Sequence, residues 1–248
     1  MIDLWLIGIG TGNPDHVTFQ AAEAIRKADL ILIPRKGPNK ADLADIRHQI
    51  IAKVAAEALP RVIEFDIPVR KADGNYLDGV SDWHDAIAIV WQQTITLHEA
   101  DNKRVALLVW GDPSLYDSTL RIADRLEPKP NITVIPGITS LQVLTAAHAI
   151  PINRIGAPFT VTTGRKLREN GWPEGADTIA VMLDGECSFQ HLEAENFEIW
   201  WGAYVGMPEQ ILLSGKLHEI RDTIVNYRAE LREKHGWIMD IYVLRKHE

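Results

Sequence analysis

The sequence predicts an α/β protein of two domains, an N-terminal one with a parallel sheet and a C-terminal one with a mixed sheet. Three observations carry this reading. Val105 to Trp110 is an unbroken apolar run, as suits a parallel strand buried on both faces. Ile2 to Ile9 is a second such run, and helical patterns alternate with short strands around both, which implies right-handed crossovers. Beyond Ile150 the texture changes: Pro151 to Pro158 carries two prolines and a glycine with little periodicity. The expected division is therefore 1–150, a linker at 151–158, and 159–248.

Taken in order, the first strand leads into GIGTGNPDHVT, Gly8 to Thr18, and then a helix carrying Val17, Ala21, Ala24 and Ile25. Leu30 to Ile33 is a short strand closed by Pro34-Arg35-Lys36-Gly37-Pro38. Ala41 to Ala58 is helical in composition, Val62 to Ile67 strand-like, Lys71 to Gly79 a polar loop, and Ser81 to Ala100 a long helix. The Val105 strand runs into Gly111-Asp112-Pro113, followed by Leu115, Ile122, Ala123 and Leu126 at helical spacing. Asp112 is expected to cap that helix and Pro113 to be its first residue, where a missing amide costs nothing. Ile132 to Ile135 is the next strand, and Pro136-Gly137 turns into a small-residue helix, Thr139 to Ala149. In the second half, strands are expected at Phe159–Thr163, Thr178–Leu183, Glu198–Val205, Gln210–Leu213 and Trp237–Leu244, with helices at Ser188–Glu195 and His218–Lys234.

Composition is that of an ordinary globular protein, 46% apolar and 24% charged. No apolar run approaches a membrane span, and Met1-Ile2-Asp3 opens a strand rather than a signal peptide. A single cysteine, Cys187, precludes an internal disulfide and points to the cytoplasm. The net charge of −8 argues against nucleic acid as a partner but leaves room for an anionic small substrate held by local cations.

The motifs exclude more than they assert. Gly8, Gly10 and Gly12 suggest a dinucleotide loop, but the fingerprint requires a glycine where Asn13 stands, and the second strand ends in Pro34-Arg35 rather than an acid. No GxxxxGK[ST] and no GxSxG occur. The histidines show no zinc spacing, so no metal is expected, and His84, His98, His218 and His235 read as solvated or capping residues on helices. What remains is a strand-to-helix turn at Gly111-Asp112, the place where open α/β sheets bind ligands. The alternative at that turn is plain chain reversal with Asp112 as a cap.

Three turns then coincide. GIGTGNPDHVT, VWGDPSLYDS and VIPGITSLQ, each after a strand and in this order, resemble the signature turns of the tetrapyrrole methyltransferases, the S-adenosylmethionine-dependent enzymes of cobalamin and sirohaem synthesis. The resemblance continues through VMLDG and GAYVGMPEQILLSGKL, over nearly the whole chain. GTGNPDH, WGDPSLYDSTLRI, NRIGAPFTVTTGR, VMLDGEC and HGWIMDIY resemble the branch that methylates ring carbon C1 and releases an acetyl group as acetate. The first loop departs from the family's usual GxGPGDPxLLT, with Thr11, Asn13 and His16 in place of Pro, Asp and Leu. Trp110 stands where a glycine is common, and Trp237 to Asp240 where a Pro-Ala pair usually opens the closing strand.

The resemblance implies a cleft between two domains that holds S-adenosylmethionine and releases S-adenosylhomocysteine. Trp110, Gly111, Asp112 and Leu115 would line it, with Thr139, Ser140, Met182 and Tyr204. Thr139 and Ser140 read equally as helix caps, and Met182 as core. Deacetylation needs a base and a proton carrier, for which Asp15 and His16 are the candidates, with Tyr116 and Asp117 in reserve. An anionic tetrapyrrole calls for cations, and Arg35, Lys36, Lys40, Arg154, Arg165, Lys166 and Arg168 are placed to supply them. A homodimer is implied, with Trp200-Trp201 either at its interface or in the core. The competing readings are a family member acting at another ring carbon, an NADP-dependent reductase using the glycine loop and Arg35, and a tetrapyrrole carrier without catalysis.

Overall fold

The computed structural model describes residues 2–35, 41–57, 59–69, 76–98 and 103–247. The chain forms two compact units, Met1–Thr139 and Ser140–Glu248. The first contains β1 (Asp3–Gly8), α1 (Phe19–Lys27), β2 (Leu30–Arg35), α2 (Ala41–Val54), β3 (Arg61–Asp66), α3 (Tyr76–Leu97), β4 (Arg104–Val109), α4 (Thr119–Ala123) and β5 (Asn131–Ile135). Its sheet is wholly parallel, in the order β3-β2-β4-β1-β5.

The apolar runs explain this sheet. Leu4, Leu6, Leu30, Leu32, Val105, Leu107 and Val109 alternate onto one face and pack with Ile87, Trp91 and Ile95 of α3 and Ile122 of α4. The intervening Ile7, Ile31, Ile33 and Leu108 are equally buried and face the other way, where α1 and α2 pack on β1 and β2. A strand covered on both faces leaves no polar alternation in the sequence, so the expected runs were recovered almost to the residue. Thr18 starts α1 by accepting the Ala21 amide at 3.0 Å.

The stretch after β4 differs from expectation. No helix begins at Asp112-Pro113; residues 112–118 form turns, and α4 begins only at Thr119. Asp112 Oδ1 instead accepts the Ser114 amide at 2.8 Å, a local Asx turn that competes with helix formation. His84 also departs from the solvated role expected of it: it is 4% exposed, and its Nε2 has no partner among the described residues.

The second unit contains α5 (Ser140–Ala147), β6 (Thr160–Thr163), α6 (Gly164–Asn170), β7 (Thr178–Met182), β8 (Phe197–Ala203), β9 (Ile211–Lys216), α7 (Leu217–His235) and β10 (Asp240–Lys246). Its sheet runs β6-β7-β10-β8-β9, with β6 and β7 parallel and every other pair antiparallel. α5 packs on β8 and β10, and α7 on β8 and β9. The helix expected at Ser188–Glu195 is two 3-10 turns, Ser188–His191 and Ala194–Asn196. α6 was not expected; Thr163 caps it by accepting the Lys166 amide directly from the end of β6. Trp200 and Trp201 are both buried within this unit, so they serve its core rather than an interface.

That core holds a charged network. Arg228 donates Nε to Asp240 Oδ2 at 2.9 Å and Nη2 to the Asp184 carbonyl at 2.9 Å, and Trp201 Nε1 donates to Asp240 at 3.1 Å. Burial pushes the Asp240 carboxyl up, against the opposing charge and hydrogen bond of Arg228. The Asp184 carboxylate accepts from Ser188 Oγ at 2.7 Å, the Tyr242 hydroxyl at 2.7 Å and the Ser188 amide at 2.5 Å. Every member is partnered, the condition under which buried polar groups are tolerated.

Candidate functional site

β4, β1 and β5 lie side by side and end together, so the turns that follow them meet at the carboxyl edge of the sheet. They meet through glycines. A Cβ on Gly8 would lie 2.6 Å from the Gly137 nitrogen and 2.8 Å from the Gly111 oxygen, and one on Gly137 would overlap the same Gly111 oxygen. Gly10 and Gly111 form an isolated antiparallel bridge that ties the first turn to the second. Gly10 and Gly111 have φ of 74° and 61°, left-handed values that side chains resist.

Asp112 ties the second turn to the third. Its Oδ2 accepts the Gly137 amide at 2.9 Å, while Oδ1 serves the Ser114 amide and hydroxyl. Burial raises its carboxyl, but the hydrogen bonds from Ser114 and Gly137 outweigh this and hold it below the usual range. The group is a fixed anion whose two oxygens are already engaged in shaping the site.

The first turn carries Asp15 and His16 in the 3-10 segment Pro14–His16. Asp15 is exposed and ion-paired with Lys53 of α2 at 2.6 Å; that hydrogen bond and the Lys53 charge hold its carboxyl down. His16 packs its Cβ against Gly10, and its Nδ1 lies 3.4 Å from the Thr11 hydroxyl. Burial lowers its pKa against the pull of Asp15, so the imidazole is neutral at neutral pH. Tyr116, in the second turn, has a φ of 50°, and burial pushes its hydroxyl up. It can therefore donate a proton but not serve as a base near neutrality.

Behind the second turn, Arg47 of α2 lies with its guanidinium 5.1 Å from the centre of the Trp110 ring. Sequence reasoning missed it, although Leu43, Arg47, Ile50 and Val54 fall on one helical face that is otherwise apolar. Among the other candidates of this unit, Thr139 lies with its Cα 3.6 Å from where a Gly111 Cβ would sit. Leu115 closes the Asp112 turn by donating its amide to the Asp112 carbonyl at 3.2 Å. Arg35 is paired with Glu64 at 3.1 Å at the end of β2. Lys36 and Lys40 lie outside the described residues.

In the second unit, Ser140 is the first residue of α5 and Met182 the last of β7. Leu183, beside Met182, is 66% exposed with a φ of 53°. Tyr204 follows β8 with a φ of 49°, and its buried hydroxyl donates to the Trp237 carbonyl at 2.5 Å. Left-handed non-glycine residues are costly and concentrate at functional sites. Three of this chain's, Tyr116, Leu183 and Tyr204, fall on or beside residues singled out in the sequence. Arg168 is committed to Ser188 Oγ at 2.9 Å and to Glu186 at 3.3 Å. Lys166 reaches Glu169 at 3.4 Å, and Arg165 reaches the same carboxylate at 3.9 Å. Among the described residues no group of three or more acidic, histidine or cysteine side chains could hold a metal ion, and no helix is long and apolar enough to cross a membrane.

Comparison with known proteins gives this site a context. The family profile described as "Tetrapyrrole (Corrin/Porphyrin) Methylases" matches residues 3–221. A precorrin-6A synthase (deacetylating) of a Sinorhizobium species is 47% identical over 99% of this chain and 96% of its own. A precorrin-2 C(20)-methyltransferase of a Sinorhizobium species is 27% identical over 72% of this chain and 71% of its own. Among solved structures, a cobalamin synthesis related protein (CobF) from Corynebacterium diphtheriae is 38% identical with a TM-score of 0.83, covering 100% of both chains. A uroporphyrin-III C-methyl transferase from Thermus thermophilus, complexed with S-adenyl homocysteine, shares the fold at 16% identity and a TM-score of 0.59, over 98% of this chain and 97% of its own.

Proposed function

The chain belongs to the tetrapyrrole (corrin/porphyrin) methylases, and from that premise we propose that it methylates precorrin-5 at C1 with S-adenosylmethionine as donor, releasing the ring's acetyl group as acetate and yielding precorrin-6A. The observation that carries the choice is the 47% identity, over 99% of the chain, to a deacetylating precorrin-6A synthase. The relative that acts at another ring position is similar at only 27%.

The residues at the three turns fit S-adenosylmethionine by their chemistry. They offer a fixed carboxylate at Asp112, the hydroxyl of Thr139 and backbone carbonyls of glycine turns, and no lysine of the kind that cradles a phosphate. Trp110, Gly111, Asp112, Leu115 and Thr139 are the proposed contacts, and Ser140, Met182 and Tyr204 of the second unit enter this reading through the family resemblance. The donor supplies an electrophilic methyl group on a sulfonium.

The protein's part in methyl transfer is to hold donor and macrocycle in line and keep water away, the source of large effective molarities. Deacetylation asks more of it. His16, neutral at working pH, takes a proton from the water that attacks the acetyl carbonyl, and Tyr116 stays protonated and can donate to the oxygen that gains charge. The bond between the ring carbon and the acetyl carbon then breaks, acetate leaves, and the electron pair stays with the ring carbon, which is the nucleophile for the donor's methyl group. Asp15, held as an anion by Lys53, favours the charged imidazolium once it forms. Arg35, Lys36, Arg165, Lys166 and Arg168 are the proposed counter-charges for the substrate's carboxylates. We also propose a cytoplasmic homodimer, which light scattering after size exclusion tests.

Calorimetric titration of S-adenosylhomocysteine into the wild type and Asp112→Ala is the test of the cofactor class. Micromolar binding that weakens in the variant supports the reading; no heat with the wild type overturns it. Incubation with precorrin-5 and an acetate assay then separate the deacetylating reaction from methylation at another ring carbon, which releases none.

A further inference from the structure

Arg47 is a buried cation that the groups of the described residues only half satisfy. It is 6% exposed, on the inner face of α2. Its Nε donates to the Leu108 carbonyl at 3.0 Å and its Nη1 to the Leu43 carbonyl at 2.9 Å. A guanidinium has five N–H donors; among the described residues only these two bonds form, and no carboxylate pairs with it. Burial lowers its pKa to about 10, with the Asp117 charge opposing, so it remains protonated at neutral pH. The Asp117 carboxylate itself is turned to the Thr119 amide, at 2.6 Å.

A cation in this state is costly unless a counter-charge arrives. Its position says where such a charge would come from. Leu108 is the penultimate residue of β4, so the guanidinium lies at the carboxyl edge of the sheet, stacked on the residue before Gly111. The same Trp110 carries a second unsatisfied donor, for its buried Nε1 has no partner among the described residues. A half-satisfied buried cation 5.1 Å from the centre of an indole ring whose own N–H is unpartnered, at the edge of the sheet where ligands bind, is matched by a carboxylate. A neutral acceptor would leave the charge uncompensated.

We propose that Arg47 and Trp110 form a receiving site for a carboxylate of the bound ligand, the guanidinium as ion-pair partner and the indole N–H as second donor. Two ligand groups have this chemistry: the amino-acid carboxylate of the methyl donor and an acid side chain of the macrocycle. The site also accounts for Trp110 standing where the family commonly has a glycine, since a glycine offers neither the N–H nor the ring on which the guanidinium rests. The inference rests on the methyltransferase reading and deepens it.

The test is binding rather than turnover. S-adenosylhomocysteine and its decarboxylated analogue, 5′-S-(3-aminopropyl)-5′-thioadenosine, are titrated calorimetrically into the wild type, Arg47→Gln and Trp110→Phe, and uroporphyrin binding is followed by fluorescence quenching. If the donor's carboxylate is the ligand, Arg47→Gln weakens S-adenosylhomocysteine by about tenfold or more and leaves the decarboxylated analogue unchanged. If the macrocycle supplies it, both nucleosides bind normally and uroporphyrin weakens by a similar factor. Either result supports the site. Unchanged binding of all three probes to Arg47→Gln, with the wild type binding S-adenosylhomocysteine, overturns it. Absence of binding to the wild type instead overturns the cofactor reading, so the two failures are distinct. Should Arg47→Gln fail to fold, Trp110→Phe decides alone: it keeps a ring and removes one donor, and a loss confined to carboxylate-bearing probes is expected, a uniform or absent effect being contrary.

Discussion

Gly10 and Gly111 exchange a pair of backbone hydrogen bonds: the Gly111 amide donates to the Gly10 carbonyl at 2.8 Å, and the Gly10 amide to the Gly111 carbonyl at 3.4 Å. Two loops far apart in the chain thereby hold a single shape, with His16 packed on the outer side of Gly10. The catalytic candidates of the first loop and the cofactor candidates of the second are fixed to each other by main chain, which thermal motion of side chains cannot loosen.

Substitutions at these glycines are expected to rank by what a methyl group meets. Gly111→Ala places a side chain at a φ of 61° with only ordinary contact to Thr139, and should cost about 1–2 kcal/mol while still folding. Gly137→Ala drives a methyl group into the Gly111 oxygen and should exceed the about 1–3 kcal/mol of ordinary overpacking. Urea denaturation of both variants checks the order; a milder Gly137→Ala would contradict the contact.

Asp112→Ala should lose stability as well as affinity, because the Gly137 and Ser114 amides are left without their acceptor, at about 1–3 kcal/mol. The sign with pH follows from its lowered carboxyl. The contribution is complete above the ordinary carboxylate range and disappears as pH falls through the lower folded value. Wild type and variant should therefore converge in urea midpoint on acidification; a gap that stays constant would refute the assignment.

Histidines set the behaviour at milder acidity. His16, His84 and His148 all have pKa values lowered first by burial. Above about 6.5, the unfolded value, neither state binds the proton and stability is flat. Below it the unfolded chain takes up protons that the folded chain refuses, so stability falls as pH drops toward the folded values. A lower urea midpoint at about pH 5.5 than at about pH 7.5 is expected, with the difference reduced in His84→Asn. An equal or higher midpoint at the acid end would sink this.

Cys187 is buried, and burial pushes its thiol up to about 11. As it is the chain's only cysteine, a thiol reagent gives a clean readout. Native protein at mildly alkaline pH should be inert to Ellman's reagent, and denatured protein should release one equivalent. Rapid labelling of the native state would show that the 3-10 segment after Cys187 opens readily.

Legibility in the sequence followed the physics of each element. Val105 to Trp110 and Ile2 to Ile9 were plain because strands buried on both faces must be apolar throughout. Asp112 was misread as a helix cap because Asp-Pro satisfies local rules for a helix start, whereas its second oxygen is claimed by Gly137, a partner no local rule can see. α6 was missed because Thr163 both ends β6 and caps the helix, leaving no loop between them. The turn glycines and His16 were singled out, but their mutual contact depends on strand order. Arg47 was overlooked because one charged residue in an apolar helical stripe reads as noise until its burial is known.

The contact of Gly8, Gly111 and Gly137 has a consequence for how such a chain changes over time. When a new side chain collides with another side chain, a second substitution can trim the neighbour and restore the fit. Here the neighbours are a backbone nitrogen and a backbone oxygen, atoms every residue carries, so no compensating replacement exists. Gly8 and Gly137 are each closed to drift by themselves, and no paired change can open them, whereas Gly111 is restrained only by its left-handed φ. Side chains around the turns can be exchanged one for another, but Gly8 and Gly137 face main-chain atoms that no substitution removes.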